Sequence, residues 1–191
     1  MDEDFSKMSF SEYARWYRDH APQYPFMDDF TANGPHWHRT TFYLPRIEPY
    51  GKILDCGCSN GGLAKYLTET IPCEYVAVDI AYFFVYNTKN NAPLSKTCTC
   101  AVESLPFRND CFDHIIAGEI LEHVLDIELV IKEIVRVLKP GGNFLITTPR
   151  PEDSVGGQHV RYLGIKELGE LLPGIHIEDN QYSWLSEYRK V

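Results

Sequence analysis

The chain contains no run of about 18 consecutive apolar residues, which excludes an ordinary membrane-spanning helix. Its first residues, Met1-Asp2-Glu3-Asp4, are acidic and carry no apolar stretch, so no secretory signal and no membrane partner are expected. Basic residues are scarce: 18 Lys and Arg face 27 Asp and Glu, a formal charge of -9. A broad positive surface for a nucleic-acid backbone is therefore missing, which argues against a nucleic-acid partner. The 6 cysteines contain no C-x-x-C spacing. Cys56/Cys58 and Cys98/Cys100 are C-x-C pairs on predicted strands, each pair expected on one face of its strand. Reduced core thiols in a cytoplasmic protein are expected, rather than disulfides or a cysteine-held metal. Internal repeats and low-complexity tracts are also missing.

What is present is an alternation of two hydrophobic periods. With 191 residues, one domain with a substantial core is the natural size. From Gly51 onward, strand patterns at 52–56, 74–79, 97–102, 112–117 and 143–147 alternate with helical patterns at 63–70, 81–90, 127–138 and 165–172. Pro140-Gly141-Gly142 reads as the stop of the helix before it. The stretches 175–179 and 184–188 pair as a terminal hairpin. Such alternation predicts an α/β fold: a doubly wound, mostly parallel sheet with helices on both faces.

Residues 1–50 differ in character from residues 51–191. Ser9–Arg18 suits a helix, and Pro22, Pro25, Pro35 and Pro45 break the rest of the segment into loops. Tyr13, Trp16, Tyr17, His20, Tyr24, His36, Trp37, His38 and Tyr43 give this segment an aromatic surface, read both as packing and as a lid over a ligand. His36-Trp37-His38-Arg39 has no neighbouring acid, a poor metal set. Lid packing, with Arg39 as a substrate contact, is the better reading. Arg150 and Arg161 are further candidates for holding an anionic substrate.

Ile53-Leu54-Asp55-Cys56-Gly57-Cys58-Ser59-Asn60-Gly61-Gly62 is the most informative stretch. A buried strand ends on an acid, turns through small residues and opens a helix. That arrangement brings backbone N–H groups close to a ligand, with a carboxylate beside them. A dehydrogenase fingerprint needs G-x-G-x-x-G, which this loop lacks, and Asp55 would repel a diphosphate.

The pieces ILDCGCSNGG, EYVAVDI, ESLPFRNDCFDHII, GEILEHV and VLKPGGNFLITTP, in this order across roughly residues 50–150, resemble the class I S-adenosylmethionine-dependent methyltransferases. The resemblance implies a seven-stranded sheet and S-adenosyl-L-methionine as cofactor. It implies that Asp55 holds the methionine end, and that Gly57 and Gly61 pass beneath the cofactor with Cys58, Ser59 and Asn60. Asp79, followed by Ile80, matches the acid that grips the ribose hydroxyls. Val102 and Glu103 lie where the family recognises adenine, and Ala117 and Gly118 lie near the transferred methyl. Two departures stand out: Ser59 replaces a common glycine, and Ala101 replaces a common aspartate that binds the adenine amino group.

Methyl transfer needs alignment and a place for a proton rather than a covalent nucleophile. Glu119-x-x-Glu122-His123-x-x-Asp126, read as helical, gathers acids and an imidazole on neighbouring faces, and His159 comes after the last large strand. His123, Glu119 and His159 are the catalytic candidates. E-x-x-E-H resembles a metal-binding pattern of small-RNA 3′-end methyltransferases, and a similar one occurs in ubiquinone-pathway O-methyltransferases. Acid-Leu-Glu-His-Val is equally widespread in metal-free relatives, and no metal ligand is assigned. The expected activity is methylation of a small-molecule acceptor, with oxygen favoured. A metal-assisted RNA 3′-end methyltransferase and a non-catalytic cofactor-binding partner are the rivals. Oligomeric state and acceptor are not legible.

Overall fold

The computed structural model describes residues 7–23, 30, 34, 36–150, 159–179 and 183–191. Tyr24, Pro25 and Pro35 lie outside them. Seven strands form one sheet: β1 (Lys52–Cys56), β2 (Glu74–Asp79), β3 (Lys96–Thr99), β4 (Phe112–Gly118), β5 (Leu138–Pro149), β6 (His176–Asp179) and β7 (Ser183–Arg189). Their order is β3-β2-β1-β4-β5-β7-β6. The first five pair in parallel, and β7 runs antiparallel between β5 and β6. The expected seven-stranded doubly wound sheet and its terminal hairpin are both found. Winding outward from β1 to β3 and then back to β4 makes the β1/β4 boundary the point where connections reverse. In such sheets a crevice opens there, outside the carboxyl ends of the strands.

Period-2 alternation sends each central strand into two cores. Leu54, Cys56, Val76, Val78 and Ile115 face one, while Ile53, Tyr75, Ala77, Ile116 and Leu145 face the other. Because both faces are covered, these strands read as continuous apolar runs. Helix α5 (Ile127–Val137) closes the first core with Ile127, Val130, Ile131, Ile134 and Val137, a helical stripe of aliphatics. Helices α3 (Gly62–Thr70) and α4 (Tyr82–Asn91) follow β1 and β2, and α6 (Ile165–Leu171) precedes the hairpin.

The N-terminal segment holds α1 (Phe10–His20) and α2 (Trp37–Tyr43). A reciprocal cap starts α1: the Ser9 N–H donates to Glu12 Oε2 at 2.9 Å, and the Glu12 N–H returns to Ser9 Oγ at 3.4 Å. Helix α2 replaces the loop expected from the proline spacing. Its residues have weak helix propensity, but Phe42 and Tyr43 are buried in the second core, and tertiary packing decides.

Four further expectations are corrected. The strand expected at 97–102 is Lys96–Thr99, and Val102 sits in the turn beyond it. Helix α5 ends at Val137, before Pro140, and Pro140-Gly141-Gly142 is a bulge inside β5. There the register jumps from Phe112↔Leu138 to His114↔Asn143, with Gly141 at φ 77°. Cys56 and Cys58 do not share a face, because Cys58 lies past the strand end and packs into the opposite core. All six cysteines are free thiols, as expected.

Glu119–Asp126 is not a helix. Only Leu121–His123 forms a short 3-10 turn, and the Asp126 side chain accepts the Leu129 N–H at 2.9 Å as the N-cap of α5. Asp126→Ala is expected to lower the unfolding free energy by about 1 kcal/mol in urea denaturation, without changing ligand binding in the crevice.

Candidate functional site

The crevice is a cavity of about 180 Å³ whose floor is laid by β1 and its loop. Asp55 is buried and accepts the Tyr75 hydroxyl at 2.9 Å, a bond between neighbouring strands. The Gly57 and Cys58 N–H groups both donate to Val78 O, at 2.9 and 3.0 Å, and tie the loop to β2. Gly57 stands at φ 77°, and a Cβ there would come within 2.7 Å of Ile120 Cδ1, so glycine is required. Ser59 also takes a left-handed backbone, φ 49°. Its N–H reaches Asp79 Oδ2 at 3.3 Å, Ser59 lines the cavity wall, and its hydroxyl oxygen is buried without a hydrogen-bond partner.

Asp79 ends β2 and accepts the Ala81 N–H at 2.9 Å. Burial pushes its carboxyl up to about 7, against the opposing pull of the Ala81, Ser59 and Ile80 amides. The cavity wall continues through Ile80, Cys100, Val102 and Glu103, then along the end of β4 through Gly118, Glu119, Ile120 and His123. A roof comes from the N-terminal segment. Phe10, Tyr13 and Tyr17 form one i, i+3, i+7 stripe of α1, and Phe30, His36, Arg39 and Tyr43 complete it. Tyr43 is fully buried and bonds Thr147 Oγ1 at 2.9 Å, fastening the roof to β5.

Of the residues singled out from the sequence for the cofactor, Asp55, Gly57, Cys58, Ser59, Asp79, Ile80, Val102, Glu103 and Gly118 line this cavity. Asn60, Gly61 and Ala117 stand behind its wall. Asn60 accepts Asn87 Nδ2 at 2.7 Å, Gly61 packs on Thr88, and Ala117 is buried in the sheet. Tyr13, Tyr17, His36 and Tyr43 of the expected lid line the cavity; Trp16 and His20 instead stack on each other, 4.4 Å between ring centroids. Arg150 lies over the Trp184 ring, and Arg161 donates to Leu125 O at 2.5 Å. The sequence reading missed Phe10, Phe30, Leu63, Cys100, Ile120 and Val124. The spacing of Phe10 from Tyr13 and Tyr17 was a readable signal for the first; the others depend on tertiary placement.

The three catalytic candidates converge at the β4 end. Glu119 adopts φ 56°, donates its N–H to Thr147 O at 2.8 Å, and accepts Ser183 Oγ at 3.2 Å. Burial raises its pKa, partly offset by the Arg39 guanidinium. His123 lines the cavity, and His159 packs edge-on against it, 4.9 Å between centroids. The Val160 N–H donates to Glu122 O at 2.9 Å and fixes that approach.

A doubly wound sheet with acids at the ends of β1 and β2, opening on a cavity at the switch point, defines a nucleotide-type cofactor site. Residues 54–146 match the family described as a methyltransferase domain. The chain is 31% identical over 151 residues to phthiotriol/phenolphthiotriol dimycocerosates methyltransferase 1 of Mycobacterium ulcerans, covering 73% of this chain and 55% of that protein. It is 30% identical to glycine/sarcosine/dimethylglycine N-methyltransferase of Actinopolyspora halophila, over 69% of this chain and 23% of that protein. In fold it is similar to the PH0226 protein of Pyrococcus horikoshii, with a TM-score of 0.70 and 21% identity over 93% of this chain and 99% of that one. The chain belongs to the class I S-adenosylmethionine-dependent methyltransferase superfamily. It spans about half the length, or less, of the curated relatives it matches.

Tyr75→Phe removes the buried donor to Asp55 and should cost about 1–3 kcal/mol of stability, read as a lowered urea midpoint with an unchanged slope.

Proposed function

We propose that this chain transfers the methyl group of S-adenosylmethionine to a small-molecule acceptor, at an oxygen atom. The observation that carries the reading is a roofed cavity with Asp55 and Asp79 on its floor and Glu119 and His123 at its other wall. The residues present suit the cofactor. Asp79 can accept two ribose hydroxyls, Asp55 suits the ammonium, and Ser59 lines the same space. A cationic sulfonium is favoured by four lining carboxyl groups, Asp55, Asp79, Glu103 and Glu119, and by the aromatic roof. Arg39 is the only Lys or Arg among the described lining residues, and its Nε is buried without a hydrogen-bond partner. We assign it to a carboxylate, that of the methionine end.

When bound, S-adenosylmethionine would supply an electrophilic methyl on a cationic sulfur, with a neutral thioether as the leaving group. The acceptor's hydroxyl proton passes to Glu119 or His123, with His159 buttressing the latter. Glu119 suits the task because burial holds its pKa above the usual carboxylate range. A small acceptor suits a cavity of this size beneath an aromatic roof, and both named relatives are called after small-molecule acceptors.

Calorimetric titration with S-adenosylmethionine and S-adenosylhomocysteine should show micromolar binding that Asp79→Ala abolishes; no binding by the intact chain would overturn the reading. Affinity should rise as pH climbs from 6 to 8. The free Asp79 is half protonated near pH 7, and hydroxyl donors favour its ionised form, so binding releases protons. The sign is opposite for the unliganded fold. A carboxyl raised from 3.8 to about 7 stabilises folding below pH 4, and that contribution is lost as pH rises to 7. Arg39→Met should weaken S-adenosylhomocysteine by about 1.5–3 kcal/mol but leave 5′-methylthioadenosine, which lacks the carboxylate, unchanged.

A further inference from the structure

We infer that Glu122, His123 and His159 form a site for one first-row divalent cation beside the methyl-transfer cavity. One ligand atom from each lies within 4.8 Å of the others. Glu122 is 1% exposed, and neither carboxylate oxygen has a hydrogen-bond partner. His123 Nε2 lies 3.9 Å from Glu122 Oε1, too far for a hydrogen bond and close enough for a shared ligand. His159 Nδ1 is likewise buried without a partner.

A carboxyl group sealed from water with both oxygens unsatisfied is costly in either protonation state, and a fold keeps one only against some return. A cation satisfies both the Glu122 carboxylate and His159 Nδ1. Ligand atoms around a tetrahedral ion stand about 3.3 Å apart, so small side-chain rotations close the set. The backbone is already fixed for this. The 3-10 turn presents Glu122 and His123, while Val160 N–H to Glu122 O and Arg161 to Leu125 O clamp the segment carrying His159 against it.

Two imidazoles and one carboxylate favour manganese, iron, cobalt or zinc over magnesium or calcium, which prefer all-oxygen sets. Three protein ligands also leave a coordination position open. His123 is the member that lines the cavity, so that position is available to an oxygen of the acceptor. This last role rests on the methyltransferase reading, whereas cation binding does not. It would take His123 and His159 out of proton transfer and leave Glu119, held by Ser183 and Thr147, as the base.

The test is a Co²⁺ titration of chelator-stripped protein, followed by visible ligand-field absorption and calorimetry. One equivalent should bind at micromolar or tighter affinity, be displaced by Zn²⁺, and not by millimolar Mg²⁺. Loss even of an outer-shell partner costs a metal site about 10–100-fold, so Glu122→Gln and His159→Ala should each weaken Co²⁺ by about 100-fold or more. Glu119→Gln should leave the affinity within about threefold, below the 10-fold an outer-shell loss costs. Circular dichroism and S-adenosylhomocysteine binding on the same samples report folding and the cofactor site separately. Millimolar Co²⁺ affinity in the intact chain, binding that survives both ligand substitutions, or competition by Mg²⁺ would each overturn the site. Failure of S-adenosylhomocysteine to bind would overturn the methyltransferase reading alone.

Discussion

Burying carboxylates at the carboxyl ends of the central strands is the constraint on which the rest of this structure depends. Asp55 and Asp79 are only 3% and 5% exposed, in a sheet whose central strands are largely apolar. Each needs donors, and the fold supplies them locally: Tyr75 from the neighbouring strand for Asp55, and the amides of Ser59 and Ala81 for Asp79. Those donors set the course of the Gly57–Gly61 loop and hold it across β2. The left-handed backbone at Gly57, Ser59 and Gly61 results from that course. Cavity, loop and strand ends are thus one electrostatic solution rather than three separate features.

The N-terminal segment answers a second demand, that the cavity be roofed. It does so with firm anchorage rather than as a loose flap. Tyr43 enters the core beneath α2 and bonds Thr147, while Arg46 pairs with Glu178 and Glu187 on the terminal hairpin. Helix α1 is held more lightly. Its buried residues are Tyr13 and Ala14, and Tyr17 packs toward Phe84 at 6.4 Å between centroids. The roof therefore has a fixed half and a lighter half, and both face the same ligand space.

How much of this was legible in the sequence depends on where each signal is written. Strands β1, β2 and β4 were readable because burial on both faces leaves an uninterrupted apolar run bounded by acids or glycine. Helix α5 was readable because its aliphatic spacing is regular. Helix α2 was not, since Trp37-His38-Arg39-Thr40-Thr41-Phe42-Tyr43 has poor helix propensity and folds through what Phe42 and Tyr43 bury. Glu119–Asp126 misled for a local reason: Glu119 takes positive φ to bond β5, and Asp126 begins the next helix instead of continuing one. The residue types of the cofactor loop were plain, but the partnerless Ser59 hydroxyl and the sealed Glu122 carboxyl arise only when distant elements meet.

The stripe of Phe10, Tyr13 and Tyr17 has an evolutionary consequence. These side chains shape the cavity from a helix that contributes no strand to the sheet and few residues to either main core. Exchanging them would alter the ceiling of the cavity while leaving the carboxylates, the loop and the parallel sheet as they are. On the methyltransferase reading proposed above, a change of acceptor would be sought first in this helix rather than in the strands that build the sheet.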